Sequence, residues 1–158
     1  MAISRSLQEY LKERGVKYRI VSHPRTGSSM ESAEQAHIPG GALAKGVMTR
    51  DGDDFLMLVL PSDYHVDLDS LNGQLGRSLV LASEAELSAK FPDCERGAIP
   101  PLGFVFGIRT LWDPNSPLGA DEKVYFEAGD HEHLIQVSGE QFHELMASAE
   151  RSVFSRHI

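Results

Sequence analysis

From residue 55 to residue 60 the chain reads Phe-Leu-Met-Leu-Val-Leu. A strand with one wet face alternates apolar and polar side chains, and this run has nothing polar to alternate with. It therefore predicts a central strand covered on both faces. Any fold for the chain must supply layers above and below it. Leu43 to Arg50, followed by Asp51-Gly52, predicts the preceding arm of a β-hairpin.

The segments on either side are short and well punctuated. Ser6-x-x-Glu9 predicts a capped helix with Leu7, Tyr10 and Leu11 on one face, stopped at Gly15. Lys17 to Ser22 reads as a strand. Ser28-x-x-Glu31 predicts a helix reaching about His37, halted by Pro39-Gly40-Gly41. Asp67 to Gly76 is helical by its leucine spacing, Leu79 to Ala82 is a short strand, and Ser83-x-x-Glu86 caps a further helix that ends before Phe91-Pro92. A Gly/Pro-rich loop fills 96–103. Strands are predicted over Phe104–Leu111, Lys123–Glu127 and His133–Val137, and Ser138-x-x-Gln141 starts a last helix. The polar tail after about Ala149 reads as frayed. Consecutive strands mixed with short helices predict an α+β fold around a mixed sheet. At 158 residues the expectation is one domain over 1–158, with its core at about 5–147.

The formal charge of −8 and the absence of a Lys/Arg cluster exclude a protein that wraps nucleic acid by broad charge neutralisation. Any nucleic-acid contact must rest on a few placed cations, best at a chain end. One cysteine, Cys94, allows no internal disulfide. The first fifteen residues lack the apolar segment of a secretory signal, and no apolar run approaches a membrane span of about 20 residues. The expected location is the cytosol, with no membrane partner.

Four places carry possible chemistry. Lys45, in Leu43-Ala44-Lys45-Gly46-Val47, sits among apolar residues at a strand mouth. It is either an anchor for a phosphate or carboxylate, or a lysine that snorkels to water. Gly97-Ala98-Ile99-Pro100-Pro101 is either a stiff loop presenting backbone N–H groups to an oxyanion, or an ordinary turn. In Gly129-Asp130-His131-Glu132-His133, an imidazole on a turn between strands can reach a pocket. His131 and His133 would also face the same way if extended, but a third metal ligand is missing nearby, so no metal or other cofactor is expected. Cys94 lies between Asp93 and Glu95, which disfavour its thiolate; it reads as structural.

In this order along the chain, His23-Pro24-Arg25-Thr26, Glu31-Ser32-Ala33-Glu34, the lysine segment, Phe55–Pro61, the Gly97–Gly103 loop and Tyr125–Leu134 resemble the YbaK/ProX family of trans-editing aminoacyl-tRNA deacylases. The same fold resembles the insertion domain of bacterial prolyl-tRNA synthetases. The resemblance implies a single α+β domain with a mixed, barrel-like sheet flanked by helices. Its substrate would be the aminoacyl-adenosine end of a mischarged tRNA, typically proline tRNA carrying alanine, cysteine or serine. An aminoacyl-tRNA synthetase is a further candidate partner. Lys45 would hold the terminal adenosine through its phosphate, Gly97 to Pro101 would orient the ester carbonyl through backbone amides, and His131 would match the family's pocket histidine, with His133 two positions away as the rival. His23, Thr26, Gly129 and Asp130 would complete the substrate contacts.

An activated ester needs no strong nucleophile, which fits the missing triad and metal motif. Leu43, Met57, Leu58, Ile99 and Phe106 are candidate pocket walls or plain core. Two readings compete with the deacylase: a binding module that senses aminoacyl-tRNA or an amino acid without turnover, and a metal-dependent hydrolase built on His131 and His133.

Overall fold

The computed structural model describes residues 3–25, 29–95 and 97–157. Its frame is the predicted hairpin. Strand β2 (Leu43–Asp51) pairs antiparallel with β3 (Asp54–Pro61) in unbroken register from Ala44↔Pro61 to Asp51↔Asp54. Gly52, at φ +63°, takes the first position of the two-residue turn, where an L side chain would be strained. All of 56–61 is buried, so β3 is the two-sided central strand that its composition demands.

Around it, β1 (Arg19–Ser22), β6 (Arg109–Trp112), β7 (Lys123–Glu127), β8 (His133–Ser138) and β9 (Glu150–Arg151) complete the order β1-β8-β7-β2-β3-β6-β9. Strand β5 (Val80–Leu81) pairs with β2 off this path, and β4 (Tyr64–Val66) pairs separately with β10 (Ser155–His157). The pairings β2·β7, β3·β6 and β6·β9 are parallel, so the sheet is mixed. Among the described residues five short α-helices flank it: α1 (Arg5–Glu13), α2 (Ser29–Gln35), α3 (Leu68–Leu75), α4 (Glu84–Lys90) and α5 (Gly139–Met146). The fold is α+β, as expected. The main core joins α1 and α5 to one sheet face through Leu7, Leu11, Met57, Trp112, Phe126 and Phe142. Leu58, Leu60, Leu71 and Phe154 pack on the other face, so the adjacent residues Met57 and Leu58 serve different cores.

Several boundaries differ from expectation, each for a local reason. Helix α1 is capped by Ser4 rather than Ser6: the Ser4 hydroxyl accepts from the Leu7 N–H, while the Ser6 N–H goes to Asp93. Its end at Gly15 is as expected, with the Val16 N–H returning to Leu11 O. The caps at Ser83 and Ser138 are as read, and Asp67, expected only as part of a helix, caps α3. The helix expected from Ser28 is present as α2, but Ser28 and the Glu31 side chain lie outside the described residues. The strand expected from Phe104 begins only at Arg109. Gly103–Phe106 forms a 3-10 turn ended by Gly107 at φ +74°, and a side chain at Gly103 would strike the Thr110 hydroxyl.

The tail is the largest correction. It is not frayed: β9 extends the main sheet, β10 pairs with β4, and Phe154 is 2% exposed between them. Asp113 secures that passage by accepting from the Phe154 and Ser155 N–H groups and the Ser155 hydroxyl. A single buried aromatic and one carboxylate are enough to order a stretch whose composition is polar. Among the described residues, no helix is long and apolar enough to cross a membrane.

Candidate functional site

Strand β2 has an interrupted edge. On the side away from β3 it pairs with β7 only at Leu43↔Tyr125 and Ala44↔Phe126, and with β5 only at Thr49 and Arg50. No strand pairs with 45–48 there among the described residues. Lys45 opens this gap. It lies opposite Leu60 in the hairpin, half-buried, and its Nζ donates to Ser62 O at 3.3 Å. Burial lowers its pKa, and Asp63 pulls weakly the other way. Ser62 is itself fixed, through its N–H to Leu43 O and its hydroxyl to Gly40 O.

Gly46, the next residue, faces the opposite side of β2. A Cβ there would lie 2.9 Å from Met57 Sδ and 3.2 Å from Pro101 Cα. Only glycine lets the proline loop lean on the strand so closely. Lys45 and the 97–101 loop therefore meet on one strand, at successive residues and on its two faces.

From Pro101 the loop runs back across the gap to the turn after β7. The Glu95 N–H donates to Gly129 O at 2.7 Å, and the Ala98 N–H turns inward to Glu95 O. Pro100 and Pro101 have no N–H. The loop's remaining donors are the amides of Gly97, at φ +81°, and Ile99. Ala98, Pro100 and Pro101 are buried, Ile99 is half-buried and Gly97 is exposed.

The turn 129–133 is tightly built. Gly129, at φ +106°, packs against Ser4 and Cys94 where a side chain would crowd both. Asp130 Oδ1 accepts the Glu132 and His133 N–H groups, each at 3.0 Å, and Oδ2 pairs with His133 Nδ1. Burial alone would raise the Asp130 carboxyl; these donors outweigh it and hold the pKa below the usual range. His131 is 5% exposed at φ +63°. That left-handed residue breaks the alternation on which a shared face with His133 depended, and His133 is committed to Asp130. His23 reaches the same turn through its N–H to Glu132 O, and its Nδ1 bonds Pro24 O. Arg25 clamps the assembly by pairing with Glu95 and reaching Asp130 O, and this pairing lowers the Glu95 pKa.

Hydrogen bonds thus link His23, the 95–101 loop and the 129–133 turn, and the loop's Pro101 meets Gly46 on the face of β2 opposite Lys45. Thr26 lies outside the described residues. The proposed pocket walls do not form one wall: Met57, Ile99 and Phe106 belong to one core, Leu58 to a second and Leu43 to a third. Cys94 is an inert thiol, pushed up to about 12 first by burial and then by Asp93.

Sequence reasoning passed over one residue. Glu127, at the end of β7, is 1% exposed. Its Oε1 accepts the Ser32 hydroxyl of α2 at 2.7 Å, and burial raises its pKa to about 7. The signal was present: it is the one charged residue following the buried Phe126 before the glycine turn.

Comparison with known proteins decides the family. The model of the aminoacyl-tRNA editing domain matches residues 23–145. The chain belongs to that family. Among solved structures this editing domain is similar to hypothetical protein APE2540, at 21% identity and TM-score 0.82 over 96% of this chain and 100% of that one. It is also similar to a candidate trans-editing enzyme for prolyl-tRNA synthetase, at 20% identity and TM-score 0.79 over 96% of each chain. A candidate signal transduction protein from Marinobacter aquaeolei VT8 matches at 22% identity and TM-score 0.75, over 98% of this chain but 31% of that one. At these identities the likeness is one of fold. No protein with a curated description matches the chain.

Proposed function

We propose that this editing domain acts in trans, in the cytoplasm, as a deacylase of mischarged aminoacyl-tRNA, hydrolysing the ester between the terminal adenosine and a small wrong amino acid. The substrate proposed is proline tRNA carrying alanine, with cysteine and serine as further candidates. The observation that carries this reading is Lys45. A half-buried ammonium, with a backbone carbonyl and one nearby carboxylate, stands at the open edge of β2 and suits a phosphate of the acceptor end.

With the phosphate on Lys45, the 3′ end would lie along the gap between β7 and β5. The Gly97 and Ile99 amides are the donors suited to the ester carbonyl as it gains negative charge, and one such donor is typically worth about 10²–10³ in rate. Water, positioned by the substrate's 2′-hydroxyl, attacks the carbonyl carbon. The ester C–O bond breaks, releasing the amino acid and a free 3′-hydroxyl. Gly129, Asp130 and His131 would form the opposite rim, with His23 beside them, and Thr26 is carried as a further substrate contact. Recognition confined to the acceptor end also suits a chain of charge −8.

Deacylation of alanyl-, cysteinyl- and seryl-tRNA by wild type and Lys45→Ala tests this. The variant is expected to lose at least about 100-fold in kcat/KM with an unchanged thermal midpoint. Unchanged turnover removes Lys45 from the site. Saturable binding without turnover by the wild type would replace the enzyme with a sensor, and loss of activity in chelator would restore the metal-dependent reading.

A further inference from the structure

The substrate just proposed carries a free α-amino group beside its ester, and a buried site must either recognise that group or be indifferent to it. Recognition needs a carboxyl with unused acceptor capacity. Asp130 spends both oxygens on its own turn. Glu95 is paired with Arg25. Asp63 has Lys45 and His157 beside it. Asp63 Oδ1 and Asp121 Oδ2 are also buried without a partner, but Asp63 has Lys45 at hand and Asp121 precedes β7, at the end away from the 129–133 turn. Glu127 has neither feature. It is 1% exposed, one oxygen takes the Ser32 hydroxyl, and Oε2 is buried with no hydrogen-bond partner. The charged group that acts on it is another acid, Asp130. Among the described residues no cation acts on it, and a buried carboxyl with an empty acceptor and an acidic neighbour is costly unless it is neutral or a cation arrives.

We propose that Glu127 receives the α-ammonium of the aminoacyl ester at Oε2, which makes this editing domain selective for esters with a free amino group over N-acylated ones. The inference rests on the deacylase reading. Its geometry follows from β7: Glu127 lies two residues before Gly129 in the rim of the gap, on the strand that leaves β2 just before Lys45. Ser32 keeps Oε1, and the ammonium supplies the donor that Oε2 lacks. Ser32 brings α2 onto Oε1, and Oε2 is itself buried, so the amino end reaches it only if the packing around it opens. The helix rests here on the small residues Ser32 and Ala33. With its carboxyl raised to about 7, Glu127 also titrates close to an α-amino group at about 7.7–8.0, so a proton passes easily between the two.

The test uses wild type and Glu127→Gln, each with alanyl-tRNA and N-acetyl-alanyl-tRNA. Wild type is expected to cleave the acetylated ester about 10–100-fold less efficiently, the range for one lost charged hydrogen bond. Glu127→Gln, which still accepts from Ser32, is expected to lose a similar factor on the free-amine ester, mainly in KM, and to be indifferent to acetylation. Equal cleavage of both esters by wild type, or full discrimination by the variant, overturns the proposal while leaving the deacylase standing. If wild type cleaves none of the alanyl, cysteinyl and seryl esters, the deacylase reading itself falls. If the variant does not fold, the ratio of the two esters on wild type alone decides.

Discussion

Asp113 and Glu127 are each 1% exposed, each stand at the end of an inner strand of the same sheet, and they behave in opposite ways. Asp113, just after β6, is surrounded by donors: the Asn115 N–H on Oδ1, and the Phe154 N–H, Ser155 N–H and Ser155 hydroxyl on Oδ2. Glu127, at the end of β7, has the Ser32 hydroxyl on one oxygen and nothing on the other. Burial alone therefore does not mark a functional carboxyl. The number of donors built around it does: a saturated acid staples the chain, and an unsaturated one holds acceptor capacity in reserve.

The sharpest way to break this contrast is Asp113→Ala. It strands several donors at about 1–3 kcal/mol each, so urea unfolding is expected to show a loss of roughly 3–5 kcal/mol. A loss under about 1 kcal/mol would mean that the tail is not held by Asp113. The next effect is in the opposite acid. The Glu127 pKa is raised from 4.5 to about 7, so the native state binds the proton more tightly than the unfolded chain. Its contribution is fully present below about pH 4.5 and is lost as pH rises through 7, on the order of 3 kcal/mol in all. Glu127→Gln is expected to remove that slope in urea midpoints measured from pH 4.5 to 8; a slope that persists assigns it to another group. The smallest effect belongs to Cys94, whose thiol is pushed up to about 12. It is expected to resist alkylation at pH 8, with less than about a tenth of a free thiol's rate, and Cys94→Ala is expected to leave deacylation within about twofold. Rapid labelling would show that the thiol is open after all.

Much of the frame was legible because it rests on local rules. The two-sided run at 55–60, the Asp51-Gly52 turn and the caps at Ser83 and Ser138 each follow from a few neighbouring residues. Ser4 displaced Ser6 as a cap because Asp93, far along the chain, claims the Ser6 N–H. The ordered tail was illegible for the same reason: its stability resides in Asp113, forty-one positions from Phe154. Around the site, Lys45, Gly97 to Pro101 and the 129–133 turn stood out by residue type. Glu127 and Gly46 did not, since a glutamate at a strand end and a glycine in a strand gain meaning only from Ser32 and Pro101, which fold against them.

The pairing of β10 with β4 also bears on how the molecule assembles. His157 meets Asp63 across 94 positions, whereas the β2–β3 hairpin closes over a two-residue turn. Loop-closure entropy favours the hairpin as an early event and the terminal clasp as a late one. The Tyr64 ring, edge-on to His157 at 5.2 Å, is placed to report that last step. In refolding of a variant whose other tyrosines and Trp112 are replaced by phenylalanine, the Tyr64 fluorescence is expected to lag behind the formation of sheet structure.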